Sequence, residues 1–427
     1  MVEKNHSLTN SMRHVKYLYI ISTVAFLFSS VLIQALPAQK RASEIKPSWP
    51  EICPPFSRFH RDGGPRVMTT PLLQAIVNGN FVEVARLVAN GADVNEADKD
   101  GTTPLLLASG YADAEMIKVL IKAGSKINVS SQNGFTPLML AARCSAAVKI
   151  LIESGAIVDS RNGSKETALM RAAQGGNLAS VKHLTVAKAD ISEKNGELTP
   201  LMFAIKGGNP RVVDFLLKAG AKKELVTDLG SATALNLAAA NPDGEITRIL
   251  LGAGANSNAS GKYGATPLTA AAMNGNIDAV RLLIAAGADP NFKVSNTLSP
   301  IACASTGGYT DVVKELIKAG ANVYNKDDWW PTLITAARNE RIETMDVLLK
   351  AGADINMRSY DGRTAIMYAA GEGKIYSVRF LIEKGADLNI RKDNQTALTM
   401  VIKSTQLMGE SKKAEIVKML RDAGAIE

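Results

Sequence analysis

The side chains that catalysis and metal binding use most are few in this 427-residue chain. Its four histidines are His6, His14, His60 and His183, and none has a carboxylate or thiol partner at the spacing of a metal site. The sequence also lacks a glycine-rich phosphate loop and a nucleophile motif. It therefore predicts no catalytic residues, no metal ligands and no cofactor site, and it favours binding over enzymatic activity.

Four aromatic side chains are candidates for contact with a protein partner. They fall in or beside polar turn sequences: Tyr263, Trp329, Trp330 and Tyr360. Other turns of the chain carry mostly Asp, Asn, Ser or Lys, so an indole at such a place is unusual. Tryptophan and tyrosine are favoured at binding hot spots. We expect Trp329 to contact the partner, whereas Trp330 has the alternative of packing before a helix.

A set of methionines forms the second group of candidate partner-binding residues. Each stands three residues after the start of a Thr-Pro-Leu phrase or a near relative of it: Met139, Met170, Met202 and Met367. Methionine adapts to partners of varied shape and can be oxidised. The alternative is that these side chains pack between neighbouring helices of the fold.

Both groups are positioned by a phrase that the chain repeats at a regular interval. Thr-Pro-Leu or a near relative begins at eleven positions: Thr70, Thr103, Thr136, Thr167, Thr199, Thr233, Thr266, Ser299, Pro331, Thr364 and Thr396. Successive starts lie 31 to 34 residues apart, and a Gly-Ala phrase keeps the same interval. A fixed period near 33 residues indicates an array of stacked units, which usually bind and rarely catalyse.

The residues of one unit resemble an ankyrin repeat, whose signature is a period of about 33 residues with a Thr-Pro-Leu-His-x-Ala start. Residues 264–291 are a near-complete copy, and the resemblance covers residues 68–427. It implies an all-α ankyrin-repeat solenoid of stacked helix pairs with projecting β-turn loops, and protein partners. One departure is that the histidine of the signature is replaced in every unit, which removes the family's usual polar bridge at that position.

The physical chemistry of one unit agrees with a helix pair. Thr266 suits the cap of a helix and Pro267 suits its first position. Gly275 breaks that helix, an apolar second helix follows, and Gly287 stands after its last turn, where a left-handed residue is favoured. Such a pair cannot bury its own apolar faces, so neighbouring units must complete the core.

Two units depart from the pattern. In the last one, Arg421 stands where the others carry an aliphatic residue, which predicts a solvated terminal cap, and residues 403–413 are expected to loop out between its helices. In the fourth unit, Lys188 replaces the glycine and Thr185 the aliphatic residue. This replacement is either harmless drift or a hinge, and it costs on the order of 1 kcal/mol where a positive φ is needed.

Residues 1–38 have the order of a signal peptide or a signal anchor. Arg13 and Lys16 precede an uncharged apolar segment over residues 17–33, and small residues follow up to Ala38. This order is typical of a secretory signal, with cleavage after Ala35 or Ala38. The alternative is an uncleaved membrane tether through residues 17–36, because the apolar run approaches the roughly 20 residues that span a bilayer. Both interpretations place the repeats on the non-cytoplasmic side, in the periplasm or secreted.

Residues 39–67 form a Pro-rich linker between this segment and the repeats, and it contains one of the three cysteines, Cys53. The other two, Cys144 and Cys303, lie in units five apart, on the order of 40 Å or more from each other, so they cannot be bridged. We expect Cys303 to lie in the core and Cys53 to be the cysteine most free to pair with another molecule.

The charge of the chain argues against nucleic acid as the partner. The net charge is +8, and residues 1–67 supply nine basic and four acidic residues, so the repeats hold 49 − 9 = 40 basic and 41 − 4 = 37 acidic residues. A nucleic-acid-binding protein concentrates basic charge in a patch. We therefore expect a non-enzymatic protein–protein interaction scaffold, exported or membrane-tethered. The alternative is a regulatory or protective binding protein for an envelope enzyme.

Overall fold

The computed structural model describes residues 70–227, 232–261, 264–292, 298–324, 331–403 and 409–427. All of them fall within one compact unit that spans Cys53–Glu427. The predicted signal peptide or anchor, the whole predicted linker, and the candidates Tyr263, Trp329 and Trp330 lie outside the described residues.

The described residues form eleven helix pairs, which we call repeats 1 to 11 in chain order. The first helices are α1 (Pro71–Val77), α3 (Pro104–Gly110), α5 (Pro137–Leu140, continued by the 3-10 turn Ala141–Arg143), α7 (Ala168–Gln174), α9 (Pro200–Lys206), α11 (Ala234–Ala239), α13 (Pro267–Met273), α15 (Pro300–Gly307), α17 (Thr332–Arg338), α19 (Ala365–Gly371) and α21 (Ala397–Lys403). The second helices are α2 (Phe81–Ala89), α4 (Ala114–Lys122), α6 (Ser145–Glu153), α8 (Leu178–Val186), α10 (Pro210–Lys218), α12 (Glu245–Gly252), α14 (Ile277–Ala285), α16 (Thr310–Lys318), α18 (Ile342–Lys350), α20 (Ile375–Glu383) and α22 (Glu410–Asp422).

Each first helix packs against the first helices of the neighbouring repeats, and the second helices form a parallel row behind them. The core lies between the two rows: in repeat 7, Leu268 and Ala271 of α13 and Val280 and Leu283 of α14 are at most 1% exposed. The described part of the chain has no β-strand, and an isolated antiparallel bridge joins Lys392 to Gln395. The predicted all-α solenoid of stacked helix pairs is confirmed.

The repeated threonine or serine begins the first helix, as the sequence predicts. In nine repeats its side-chain oxygen accepts a hydrogen bond from the backbone N–H three residues later, at 3.1–3.4 Å: Thr70, Thr103, Thr136, Thr167, Thr199, Thr233, Thr266, Ser299 and Thr396. Pro331 has no hydroxyl and makes no such bond. Each cap satisfies a backbone donor that the helix itself leaves unpaired.

Asparagines at the ends of the Gly-Ala-Asp-x-Asn phrases join neighbouring repeats. The side-chain amide of Asn95 donates to the carbonyl of Gly124 at 3.2 Å, and its oxygen accepts from the N–H of Lys126 at 2.7 Å. Asn258 and Asn291 make the same two bonds, with backbone groups that lie 29 and 31 residues further along the chain. Asn128 makes them at closely matching spacing. These amides hold successive turns in register.

Repeat 4 keeps its threonine cap but departs from other repeats in the glycine after the second helix and in the bridging asparagine. Lys188 adopts a φ of 64°, where the equivalent residue in other repeats is a glycine such as Gly155, with a φ of 92°. Ser192 stands where the bridging asparagine is found in repeat 1, and a hydroxyl cannot both donate and accept in the way of an amide.

The last repeat ends the array with a long second helix. Helix α22 has 13 residues, against 9 in most other second helices, and it begins at Glu410. The expected loop over residues 403–413 is therefore partly wrong, because the final residues of that stretch add turns to the helix. Arg421 is exposed and pairs with Glu427 at 2.9 Å, as expected of a solvated cap.

Candidate partner-binding surface

The four candidate methionines lie in the core. Met139, Met170, Met202 and Met367 are 1%, 0%, 1% and 2% exposed, and they pack among the other buried side chains of the array. A partner on the surface cannot contact a side chain that the neighbouring first helices already cover. The hypothesis that these methionines bind a partner is therefore wrong, and their alternative role in packing between helices is correct.

The residue that follows each methionine position is half-exposed in several repeats. This row on the first helices includes Leu107, Leu140, Arg171 and Leu237. One step along an α-helix turns the side chain by about 100°, which is the difference between facing the next helix and facing solvent. These residues cannot be identified from the sequence, because the apolar pattern of a seven-residue helix does not fix its rotation to within one position.

The polar bridge that the sequence departure was expected to remove is present in one repeat. Asn236, in the position of the family's histidine, donates from its side-chain amide to the carbonyl of Ala265 at 2.7 Å. Its oxygen also accepts from the backbone N–H of Thr233 at 3.3 Å. Asparagine thus performs both halves of the bridge, and the general expectation is corrected for this repeat.

Tyr360 is the candidate aromatic residue that the structure describes, and it lies in a cluster of charged and aromatic side chains. We call Arg338, Tyr360, Arg363, Tyr368 and Glu372 the Tyr360 cluster. Tyr360 is 51% exposed in the turn before α19. The guanidinium carbons of Arg338 and Arg363 lie 5.2 and 5.7 Å from the ring centre of Tyr368. Arg338 is fixed by Glu372, whose carboxylate oxygen lies 2.6 Å from its Nη2.

The two arginines also act on Tyr360 itself. Partial burial raises the pKa of Tyr360, the charge of Asp361 raises it further, and the positive charges of Arg363 and Arg338 act in the opposite direction. Tyr360 therefore stays protonated at neutral pH and keeps a hydroxyl that can donate a hydrogen bond. The cluster offers the exposed ring of Tyr360, its hydroxyl and the partly exposed guanidinium of Arg363.

The turn that carries Tyr360 is held by its own hydrogen bonds. The hydroxyl of Ser359 donates to Asp361, and the backbone N–H of Arg363 reaches the same carboxylate oxygen at 3.2 Å. Burial of Asp361 opposes its ionisation, but the hydrogen bonds from Ser359 and Tyr368 outweigh this and lower the pKa of Asp361. Burial likewise raises the pKa of Tyr368. The turn is therefore ordered before any partner arrives.

A second arginine–aromatic contact lies at repeats 3 and 4. The guanidinium carbon of Arg171 is 4.9 Å from the ring centre of Phe135. Arg171 also donates from Nε to the carbonyl of Met139 at 3.1 Å and pairs with Glu166 at 3.4 Å. Here the arginine is half-buried and its partners belong to the array, so it mainly joins the two repeats.

The described residues were compared with the requirements of a metal site. No group of three His, Cys, Asp or Glu side chains among them is placed to hold a metal ion. Two clefts of about 410 Å³ each are present, one between α20 and α22 near Arg379 and one near Asp243 between α12 and α14. Neither is lined by a histidine or a cysteine.

The two cysteines within the described ranges differ in their chemical state. Cys303 is not disulfide-bonded and is 3% exposed, which confirms its predicted place in the core. Cys144 is disulfide-bonded. Cys53, expected from the sequence to be the cysteine most free to pair with another molecule, lies outside the described residues.

None of the helices in the described ranges combines the length and the apolar character that a bilayer span requires. Residues 17–36, which carry the prediction of a tether, are not part of those ranges. The prediction of a signal peptide or anchor thus stays a prediction.

Comparison with known proteins agrees with the geometry. The family model described as Ankyrin repeats (3 copies) matches residues 72–162, 111–195, 147–227, 201–294, 235–327, 286–359 and 333–426. The chain is 38% identical over 89 residues to the Ankyrin repeat and KH domain-containing protein mask-1 of Caenorhabditis elegans, a match that covers 21% of this chain and 3% of that protein. A solved structure, the human ASB11 ankyrin repeat domain, aligns with 52% of this chain and 99% of its own length, at 24% identity and a TM-score of 0.48. Because the family model matches all of residues 72–426, the chain belongs to the ankyrin-repeat family.

Proposed function

We propose that this chain is a non-enzymatic scaffold that binds a protein partner through the Tyr360 cluster, on the non-cytoplasmic side of a membrane. Ankyrin repeats imply a protein–protein interaction scaffold, and the family is typically non-enzymatic. The identity of the surface and the location of the protein are the parts that go beyond the family.

The observation that carries the proposed surface is an exposed tyrosine beside two arginines on a rigid turn. Tyr360 is half exposed although its neighbours Ser359 and Tyr368 are buried. Tyrosine and arginine are enriched among the residues that dominate binding energy. Because the turn is already held by Asp361, binding orders few additional groups, which favours affinity.

The chemistry of the cluster indicates what the partner offers. Arg363 is 46% exposed in its side chain and pairs with Asp361 at 3.6 Å, so part of its guanidinium remains accessible. We expect an apolar or aromatic side chain of the partner against the ring of Tyr360, and a carboxylate or carbonyl oxygen against Arg363.

The location rests on the order of residues 1–38: basic, then apolar, then small. Export after cleavage and a retained membrane anchor both place the repeats outside the cytoplasm, and the partner would then be a protein of that compartment. The predicted roles of Tyr263, Trp329 and Trp330 also remain part of this proposal.

The test of the surface is affinity capture with matched variants. We expect Tyr360→Ala to weaken binding of the captured partner by about 1–2 kcal/mol, roughly tenfold in the dissociation constant. Tyr376→Ala is the control, because Tyr376 is 66% exposed but stands at the start of the second helix α20. The thermal midpoints of both variants should match that of the unmodified chain.

Two results would count against the surface. A partner that binds Tyr360→Ala at full strength would place the contact elsewhere on the array. Equal losses from Tyr360→Ala and Tyr376→Ala would show that the weakening is not specific to the cluster. Trp329→Ala is expected to weaken binding of the same partner without loss of thermal stability, whereas Trp330→Ala is expected to lower the thermal stability.

A further inference from the structure

We propose that the partner segment that docks on Tyr360 is acidic and lies across two neighbouring turns, with its carboxylates on Arg358 and Arg391. We call residues 357–363 and 390–395, which precede α19 and α21, the basic turns. This inference rests on the proposed function of the Tyr360 cluster, and it names the chemistry of the partner.

Basic side chains outnumber acidic ones in the basic turns. The two turns hold four basic residues and two acidic residues: Arg358, Arg363, Arg391 and Lys392, with Asp361 and Asp393. The corresponding turn before repeat 2, residues 96–102, holds one basic and three acidic residues. A charged segment is steered toward the turns of opposite sign and away from those of like sign. An acidic segment is therefore favoured at the basic turns.

Arg358 differs from the arginine at the same position of an earlier turn. Arg161 also lies six residues before a cap threonine, and its Nη2 pairs with the carboxylate of Glu193 on the next turn at 2.6 Å. Arg358 instead donates from Nη1 to two backbone carbonyl oxygens, that of Gly362 at 3.3 Å and that of Arg391 at 3.0 Å. Arg358 therefore meets a second arginine on the next turn, and among the described residues no side-chain carboxylate pairs with it.

One edge of the Arg358 guanidinium is left for a partner. Both carbonyl bonds use Nη1, and neither Nε nor Nη2 donates to a described residue. Arg86 uses these same two nitrogens to hold the carboxylate of Glu83, at 2.8 and 2.6 Å. Two parallel N–H groups match a carboxylate and make a bond stronger than a neutral hydrogen bond. Because Arg358 is exposed and already fixed by the carbonyl bonds, a carboxylate can bind it with little further ordering.

Arg391 is held in a similar way on the neighbouring turn. It is exposed, and it donates to the main-chain oxygens of Asn394 at 3.5 Å and of Glu427 at 2.8 Å. Like charges on adjacent turns oppose each other, and carboxylates of a partner offset that repulsion. The pair of arginines thus favours an anionic segment that reaches from one turn to the next.

The distance between the turns sets the pattern of the segment. Helices of neighbouring repeats pack roughly 8–10 Å apart, and an extended chain covers roughly 3.3–3.6 Å per residue. About three residues therefore separate the side chain on Tyr360 from the carboxylate at Arg391. We expect an apolar or aromatic residue with aspartate or glutamate within about three positions of it.

The test is a selection of binding peptides on the purified, immobilised full chain. The probe is a phage library of short random peptides, and the selected sequences are compared with the input library. We expect enrichment of aspartate and glutamate around an apolar or aromatic residue. The dissociation constants of the selected peptides, made synthetically, should rise with sodium chloride concentration because salt screens exposed charges.

Matched variants make the outcome specific. The double variant Arg358→Glu, Arg391→Glu should raise the dissociation constants of the acidic peptides by about tenfold or more. The double variant Arg358→Gln, Arg391→Gln removes the charges but keeps amide donors, and it should raise them by less. Arg211→Glu is the control, because Arg211 is exposed on the second helix α10, outside the basic turns. It should leave both the dissociation constants and the thermal midpoint unchanged.

The results separate this inference from the proposed function. Loss of peptide binding in the arginine variants but not in Tyr360→Ala would support the acidic segment and count against the contact with Tyr360. Loss in Tyr360→Ala alone would keep that contact and overturn the acidic segment. Selected peptides without enriched acidic residues would also overturn it. So would phosphatidylglycerol vesicles or single-stranded DNA that bind as tightly as the peptides and lose binding in the same arginine variants.

Discussion

Lys188 shows how a single residue carries strain in an otherwise regular array. Its φ of 64° lies in the left-handed region, which costs a side-chain-bearing residue on the order of 1 kcal/mol relative to glycine. The backbone N–H of Lys188 still bonds to the carbonyl of Thr185 at 3.0 Å, so the turn keeps the geometry of its glycine-bearing neighbours. The strain is thus a property of the side chain, not of a distorted turn.

We therefore predict that Lys188→Gly raises the free energy of unfolding by about 0.5–1 kcal/mol, measured by urea denaturation. Gly155→Ala is the opposite control, because Gly155 has a φ of 92° and an added Cβ would contact nothing within 4 Å. It should lower stability by about 1 kcal/mol through backbone strain alone. A Lys188→Gly protein no more stable than the parent would contradict the argument.

Some structural roles of single residues can be predicted from the sequence, and others cannot. The caps at Thr103 and Thr266 were predictable because a hydroxyl three residues before a free N–H is a local arrangement. The burial of Met139 and the half-exposure of Leu140 were not, because they depend on how each helix is rotated against its neighbours. The disulfide at Cys144 was also missed, because no local sequence pattern marks a cysteine that forms one.

At the scale of an element, repeat 4 combines several losses. Thr185 replaces an aliphatic residue and bonds back to the carbonyl of Val181 in its own helix at 2.8 Å. Val186, at the end of α8, is 83% exposed. Ser192 has no side-chain amide that could hydrogen-bond to the turn of repeat 5. Because repeat arrays behave as sums of units and neighbour interfaces, such losses weaken one site of the array.

We expect hydrogen exchange to show residues 165–198 opening before residues 233–290. The physical reason is that repeats 6 and 7 keep a glycine after the second helix. In addition, the side-chain oxygen of Asn258 in repeat 6 accepts a hydrogen bond at 2.9 Å from a backbone N–H in the turn of repeat 7. Amide protection is measured by native-state exchange with peptide mass analysis. Protection of repeat 4 that equals or exceeds that of repeats 6 and 7 would contradict this prediction.

The whole array divides into parts with different tasks. The rows of first and second helices supply a continuous core, and the turns supply an ordered edge on which Tyr360 is displayed. Most buried positions are taken by small or aliphatic residues that pack only with one another. Substitutions at surface positions therefore leave the core intact. The fold was predictable from the period of the repeats, whereas the choice of the Tyr360 cluster required the positions of Arg338 and Glu372, which come from different repeats.

The prediction for the whole molecule concerns its N-terminus. Arg13 and Lys16 precede an uncharged apolar segment, and Ala35 and Ala38 offer small residues for a signal peptidase. We expect the native protein to begin near Leu36 or Gln39 after cleavage, as measured by mass spectrometry of its purified N-terminus.

Leu27→Arg, which places a charge within the apolar segment, should block export and leave an uncleaved chain inside the cell, because charge there opposes membrane insertion. An intact Met1 in the membrane fraction would favour the anchor instead, with Arg13 and Lys16 on the cytoplasmic side. A soluble cytoplasmic chain that retains Met1 would contradict both interpretations.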